Sequence, residues 1–171
     1  MYCMKIRNNT PCDIYDEFTQ KHSSQIIQRC PLLAKFNIDI LLIDEYIKQR
    51  ECLPHIENVD REVMSCYIVK ECEDISRTKA GIVINQSAIS SLNLTNAELM
   101  AVFAHEIGHI AFFFHSNKNN MDSVCEEIYA DSYATSIGLG NSLCNVLENL
   151  KPYYPDGTSI LNLRIKFLKD I

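Results

Sequence analysis

Residues 104–110 constrain this chain more than any other stretch: Ala104-His105-Glu106-Ile107-Gly108-His109-Ile110 sets His-Glu-x-x-His inside an apolar run. On a helix turning about 100° per residue, His109 lies only about 40° round from His105. Both imidazoles therefore leave one face, a turn apart, and can grip a single metal ion. Glu106, roughly 100° from His105, stands beside that pair rather than in it. It is placed to take a proton from a water that the metal has acidified. That is the arrangement hydrolytic zinc chemistry needs: two neutral imidazoles and a carboxylate base.

A catalytic zinc has three protein ligands and one open position. Downstream, Ser123-Val124-Cys125-Glu126-Glu127-Ile128-Tyr129-Ala130-Asp131 supplies carboxylates on a second helical segment. Glu127 and Asp131 are four apart and share a face. One can ligate while the other accepts the second ring N–H of a ligating histidine, fixing its tautomer and orientation. A purely structural zinc would have no use for Glu106 as a base and would fill its fourth position. A non-catalytic zinc-binding regulatory or interaction domain is therefore the second choice.

His105-Glu106-x-x-His109 followed by Glu127-x-x-Ala130-Asp131 resembles the gluzincin pattern of zinc metallopeptidases. It is similar to the HtpX-like and CAAX-prenyl-type peptidases, and to the soluble ImmA/IrrE type, which usually has Asn where this chain has Asp131. The lead-in Leu94–Ala104 also looks like that group, and the resemblance spans roughly residues 80–140. It implies a zincin-like α+β domain and a Zn2+ cofactor. It also implies a metal set of His105, His109 and Glu127, with Glu106 as catalytic base and Asp131 in support of an imidazole, His105 first. The substrate would be a peptide or protein, and in the ImmA/IrrE type a regulatory protein such as a repressor. A strand just before the zinc helix borders the cleft in these peptidases, which makes Ile82–Asn85 the candidate for pairing with extended substrate.

The chain has 171 residues, 47% apolar and 22% charged, which suits one soluble domain over 1–171. A net charge of −6 argues against general binding to nucleic acid or anionic membrane. The start, Met1-Tyr2-Cys3-Met4-Lys5-Ile6-Arg7, has no apolar signal region, and no stretch approaches about 18 uninterrupted apolar residues. A cytoplasmic, non-membrane protein is expected. That departs from the integral-membrane members of the resembled group. The eight cysteines form no Cys-x-x-Cys pair. At about 5% of the chain they fall below the roughly 8–10% of disulfide scaffolds, so reduced thiols are expected. Cys125, two residues from Glu127, reads as a small core residue rather than a thiolate near the metal.

Periodicity and punctuation predict helices over residues 13–30 and 32–50, with a break near Asn37 left open in the second. Two strand-forming runs, 64–69 and 80–85, suggest an antiparallel hairpin. Residues 87–94 read as a turn-rich link. Thr95-Asn96-Ala97-Glu98 is a capping box opening the His-Glu-x-x-His helix, expected over 96–114, and Ser123-x-x-Glu126 reads as a second box opening the Glu127 helix. That use of Glu126 favours Glu127 as the ligand. Short and terminal helices follow over 142–150 and 158–169. The expected fold is mostly helical, with a small antiparallel sheet beside the two site helices.

His115 has the spacing of a third metzincin ligand, but that motif needs a glycine where this chain has Phe112. If the helix continues through Phe112, His115 turns about 280° from His105 and faces away. It then sits at the helix C-terminus, where the dipole favours it. His22 and His55 have no ligand spacing. The oxyanion-stabilising group is open among Tyr129, Tyr133, Tyr153, Tyr154 and the histidines.

Overall fold

The computed structural model describes residues 5–8, 13–35, 37–57, 59–70, 78–115, 122–154 and 158–171. The chain forms two compact units, residues 1–93 and 94–171. It is an α+β protein, mostly helical, with one small sheet among the described residues.

The first unit runs β1 (Lys5–Asn8), α1 (Asp13–Arg29), a 3-10 turn (Pro31–Ala34), β2 (Asn37–Leu42), α2 (Ile43–Gln49), β3 (Met64–Lys70), β4 (Thr78–Ile84) and α3 (Gln86–Leu92). The strand order is β1-β2-β4-β3. β3 and β4 form the expected antiparallel pair, with Cys66 opposite Ile82. The sheet as a whole is mixed rather than antiparallel, because β1 runs parallel to β2 and β2 parallel to β4.

The helix expected over 32–50 breaks into a 3-10 turn, a strand and a short helix. Ile38, Ile40 and Leu41 are buried in β2, which has a hydrogen-bonded strand on either side. Over Asn37–Ile40 the strand alternates between half-buried and buried, a period too short to stand out before the apolar Leu41–Ile43 run leads into α2. β4 is also an inner strand: its Ala80–Ile84 stretch pairs with β2 on one side and β3 on the other. The backbone groups of Ile82–Ile84 that strand addition would use are already taken, so this segment is not the substrate-pairing edge expected of it.

Leu41, Tyr46, Tyr67 and Val83 form a core cluster, flanked by Ile43, Leu53, Ile56, Val59 and Val69. The Tyr46 hydroxyl donates to the Pro54 carbonyl at 2.6 Å and accepts from the Ile56 N–H at 3.0 Å, tying the loop after α2 to this core. The expected link over 87–94 is largely α3. Its cap explains the miss. Asn85 accepts from the Ala88 N–H at 3.1 Å, and Asn93 closes the helix in the left-handed region at φ 50°.

The second unit is helical: α4 (Asn96–His115), α5 (Ser123–Ser136), α6 (Gly140–Leu150), a 3-10 turn (Lys151–Tyr153) and α7 (Thr158–Asp170). The first capping box forms as expected. The Thr95 N–H donates to Glu98 Oε2 at 2.8 Å, and the Glu98 N–H donates to Thr95 Oγ1 at 3.3 Å. The second does not. Asp122 is the N-cap of α5, accepting from the Val124 N–H at 3.2 Å, which releases Glu126 for another task. By length and composition alone α4 could cross a membrane, yet 72% of its most apolar window is buried inside the protein. α4 packs most extensively on α5, while α6 touches α4, α5 and α7, and α7 touches α5.

Candidate metal centre

α4 carries His105 and Glu106 side by side and His109 one turn later; His105 is 6% exposed, Glu106 7% and the His109 side chain 14%. α5 runs past them in the opposite sense. His105 meets Asp131, Gly108 meets Ala130, and His109 meets Glu126 and Glu127. Gly108 permits the close approach, since a side chain there would run into the α5 backbone.

The two imidazoles are held from behind. His105 Nδ1 lies 2.8 Å from Asp131 Oδ1, and His109 Nδ1 lies 3.0 Å from Glu126 Oε1. With both Nδ1–H groups donating to carboxylates, each ring keeps its lone pair on Nε2. Those two Nε2 atoms face each other at 3.0 Å. Glu127 closes the triangle, with Oε1 3.6 Å from His109 Nε2 and Oε2 3.5 Å from His105 Nε2. Ligand atoms 2.0–2.1 Å from a tetrahedral zinc stand about 3.3 Å apart, so the donor set fits such an ion. One ligand atom from each of His105, His109 and Glu127 lies within 4.8 Å of the others, and this trio could hold a metal.

Charge is distributed unevenly. Burial, with the Arg164 and His109 charges, pushes His105 down to about 4, against the favourable pull of Asp131. His105 is thus kept neutral, as a ligand must be. For His109, burial also works downward, but the Glu126 hydrogen bond and the charges of Glu106 and Glu127 outweigh it and raise its pKa. The same hydrogen bond holds the Glu126 carboxyl below its ordinary value. Burial works against ionised Asp131, yet hydrogen bonds from His105 and Arg164 overcome it and lower its pKa.

Arg164, on α7, is the residue sequence reading missed. It is 9% exposed. Its Nε donates to Asp131 Oδ2 at 2.9 Å and its Nη2 to Asp131 Oδ1 at 2.7 Å, a bidentate fork. Its Nη1 forms an ion pair with Glu127 Oε2 at 2.6 Å. A signal existed: Arg164 lies four residues before Leu168 and beside Ile165, both buried, whereas Leu163 of the same helix is 52% exposed. A charge on the buried stripe of an amphipathic helix calls for a buried partner.

The other expectations resolve individually. α4 continues through Phe112, and His115 occupies its last turn, with Nδ1 3.1 Å from the Ala111 carbonyl and 2.9 Å from the Tyr129 hydroxyl. It is not in the His–His–Glu trio. Cys125 is exposed and free, so it is not a core residue. Tyr133 is fully buried and Tyr153 is exposed on the 3-10 turn.

The sequence model of peptidase family M48 matches residues 75–121. That stretch contains His105, Glu106 and His109 and stops short of Glu127, Asp131 and Arg164. No curated protein and no solved structure matches the chain. The family match supports a metallopeptidase, with the His105–His109–Glu127 cluster able to hold its metal.

Proposed function

We propose that the protein is a zinc-dependent endopeptidase of the gluzincin type, hydrolysing peptide bonds of a protein substrate. The observation that carries this reading is the convergence of His105 Nε2, His109 Nε2 and the Glu127 carboxylate on one point, beside the buried Glu106. A zinc ion held by these three residues supplies a Lewis acid that brings the pKa of a water towards ~7.

The protein's own groups do the rest. Asp131 and Glu126 keep both imidazoles in the Nδ1–H form, which leaves the Nε2 lone pairs free to hold such an ion. Glu106 takes the proton of the attacking water and returns it to the departing amine. The substrate is a peptide or protein. The likeness to the ImmA/IrrE type favours a regulatory protein over general digestion. A purely structural zinc would have no use for Glu106 as a general base.

The test is metal content by mass spectrometry on wild type and Glu127→Ala, followed by incubation with casein as an unstructured substrate. One zinc per chain in the wild type, lost in Glu127→Ala, together with cleavage that follows metal content, is the expected result. A wild type that takes up no zinc on reconstitution overturns the reading. Stoichiometric zinc with no cleavage of any protein offered, but with partner binding lost in His105→Ala, would instead favour the regulatory domain.

A further inference from the structure

We infer that Arg164 is a positioning residue of the metal centre: its guanidinium sets the carboxylates of Glu127 and Asp131 in the orientation that metal binding needs. This rests on the reading of His105, His109 and Glu127 as ligands.

The geometry assigns each nitrogen a task. Nε and Nη2 grip both oxygens of Asp131, at 2.9 and 2.7 Å. Asp131 is completely buried, and its Oδ1 also lies 2.8 Å from His105 Nδ1. The fork therefore fixes the carboxylate that fixes the imidazole. Nη1 reaches Glu127 Oε2 at 2.6 Å. Glu127 Oε1, which faces His109 Nε2 at 3.6 Å, lies outside that ion pair. A carboxylate held by one oxygen can offer the other to a metal as a single ligand, without swinging to bidentate or turning away. Arginine suits this task because its planar fork presents donors at fixed angles, which the point charge of lysine cannot do.

α7 also brings a positive charge into a group of acids. Glu106, Glu126, Glu127 and Asp131 surround two imidazoles, and Arg164 pairs with two of the four. The charge and the geometry pull metal affinity in opposite directions. Removing a cation beside the site would by itself make it more attractive to a divalent ion. Removing an orienting partner weakens affinity, by about 10- to 100-fold for groups that support metal ligands. The sign of the change therefore separates the two roles. α7 is held at its far end by Lys169, whose Nζ lies 2.7 Å from Glu148 Oε1 on α6. The C-terminal helix is thus a structural part of the site.

The experiment titrates metal-free wild type, Arg164→Gln and Arg164→Lys with Co2+, reading the visible absorption bands, and then displaces Co2+ with Zn2+. The fold is followed by circular dichroism. The expected result is one Co2+ per wild-type chain, at least tenfold weaker binding with altered bands in Arg164→Gln, and intermediate binding in Arg164→Lys. Wild-type affinity and bands in a folded Arg164→Gln, or tighter binding, overturns the inference. If Arg164→Gln does not fold, Arg164→Lys decides: weaker binding supports the inference and wild-type binding overturns it. Loss of fold in both makes Arg164 a core-forming group and overturns it as well. A wild type that binds no metal ends the inference through the failure of the metal centre itself, a result distinct from all the others.

Discussion

A Cβ placed on Gly108 would lie 2.6 Å from the Cα of Ala130 and 2.8 Å from its carbonyl oxygen. These are backbone atoms of α5, so no side chain can move aside. This contact sets the separation of α4 and α5, and with it the reach of Glu127 to the imidazoles. In an ordinary helix interior Gly→Ala gains about 1 kcal/mol. Here overpacking costs about 1–3 kcal/mol in the opposite direction. Gly108→Ala is expected to lower the melting temperature and weaken zinc binding together. Thermal denaturation with and without zinc checks it, and an unchanged or raised melting temperature would show that the helices are not in contact there.

Asp131 and Glu126 do the same job for different rings in different surroundings. Asp131 is buried and shares Arg164, whereas the Glu126 side chain is 44% exposed. Asp131→Asn removes one of the two carboxylates that pair with the buried guanidinium and leaves Glu127 as the other, a change that costs at most the roughly 3–5 kcal/mol of a broken buried pair. Glu126→Gln leaves no buried charge. Asp131→Asn should thus lose both stability and metal affinity, while Glu126→Gln loses affinity, by about tenfold, with its fold intact. Denaturant unfolding of the two metal-free variants, paired with zinc competition, reads both quantities. Equal unfolding midpoints would refute the distinction.

The two site imidazoles should titrate on opposite sides of the ordinary histidine value near 6.5. His105 is held neutral down to about 4, while His109 is raised by Glu126, Glu106 and Glu127 against its burial. The signs for metal-free stability follow. Between pH 6.5 and about 4 the unfolded chain protonates His105 and the folded chain does not, so acidification costs stability, by roughly 3 kcal/mol at the end of that window. His109 contributes the reverse: its stabilisation is complete below pH 6.5 and lost as pH rises through its raised value. Imidazole NMR of the metal-free protein should show the His105 ring titrating near 4 and the His109 ring above 6.5. Both of these rings titrating together near 6.5 would contradict it.

What the sequence disclosed depended on whether a residue's surroundings were local. The Thr95–Glu98 box and the His105–His109 spacing lie within single helical turns, and both were legible. So was the β3–β4 hairpin, where strand formers flank a polar segment. β2 was not, because its alternation spans only Asn37–Ile40 before an apolar run leads into α2, and its identity depends on β1 and β4 lying on either side. Ser123-x-x-Glu126 satisfies the capping-box pattern one residue away from the true cap, Asp122. That slip concealed Glu126, whose partner His109 is 17 residues away. Arg164 was hidden by longer separations, 33 residues from Asp131 and 59 from His105, although its place on a buried stripe pointed to some partner.

Glu106 provides the sharpest division between binding and chemistry. It shares α4 with both histidines and is as buried as His105, yet it is not in the His–His–Glu trio. In the proposed mechanism its carboxylate serves proton transfer and not the holding of the ion. Glu106→Gln keeps the shape and removes the base, so zinc content should stay at the wild-type level while peptide hydrolysis falls by about 10²–10⁴-fold. Gln at this position also removes one of the charges that raise His109, so the His109 titration should move down in the same variant, which gives a readout independent of turnover. Metal analysis, peptide cleavage and imidazole NMR on one preparation distinguish the cases. Retained zinc with lost hydrolysis assigns the base to Glu106. Hydrolysis at the wild-type rate would exclude Glu106 from proton transfer and require another group to take the proton.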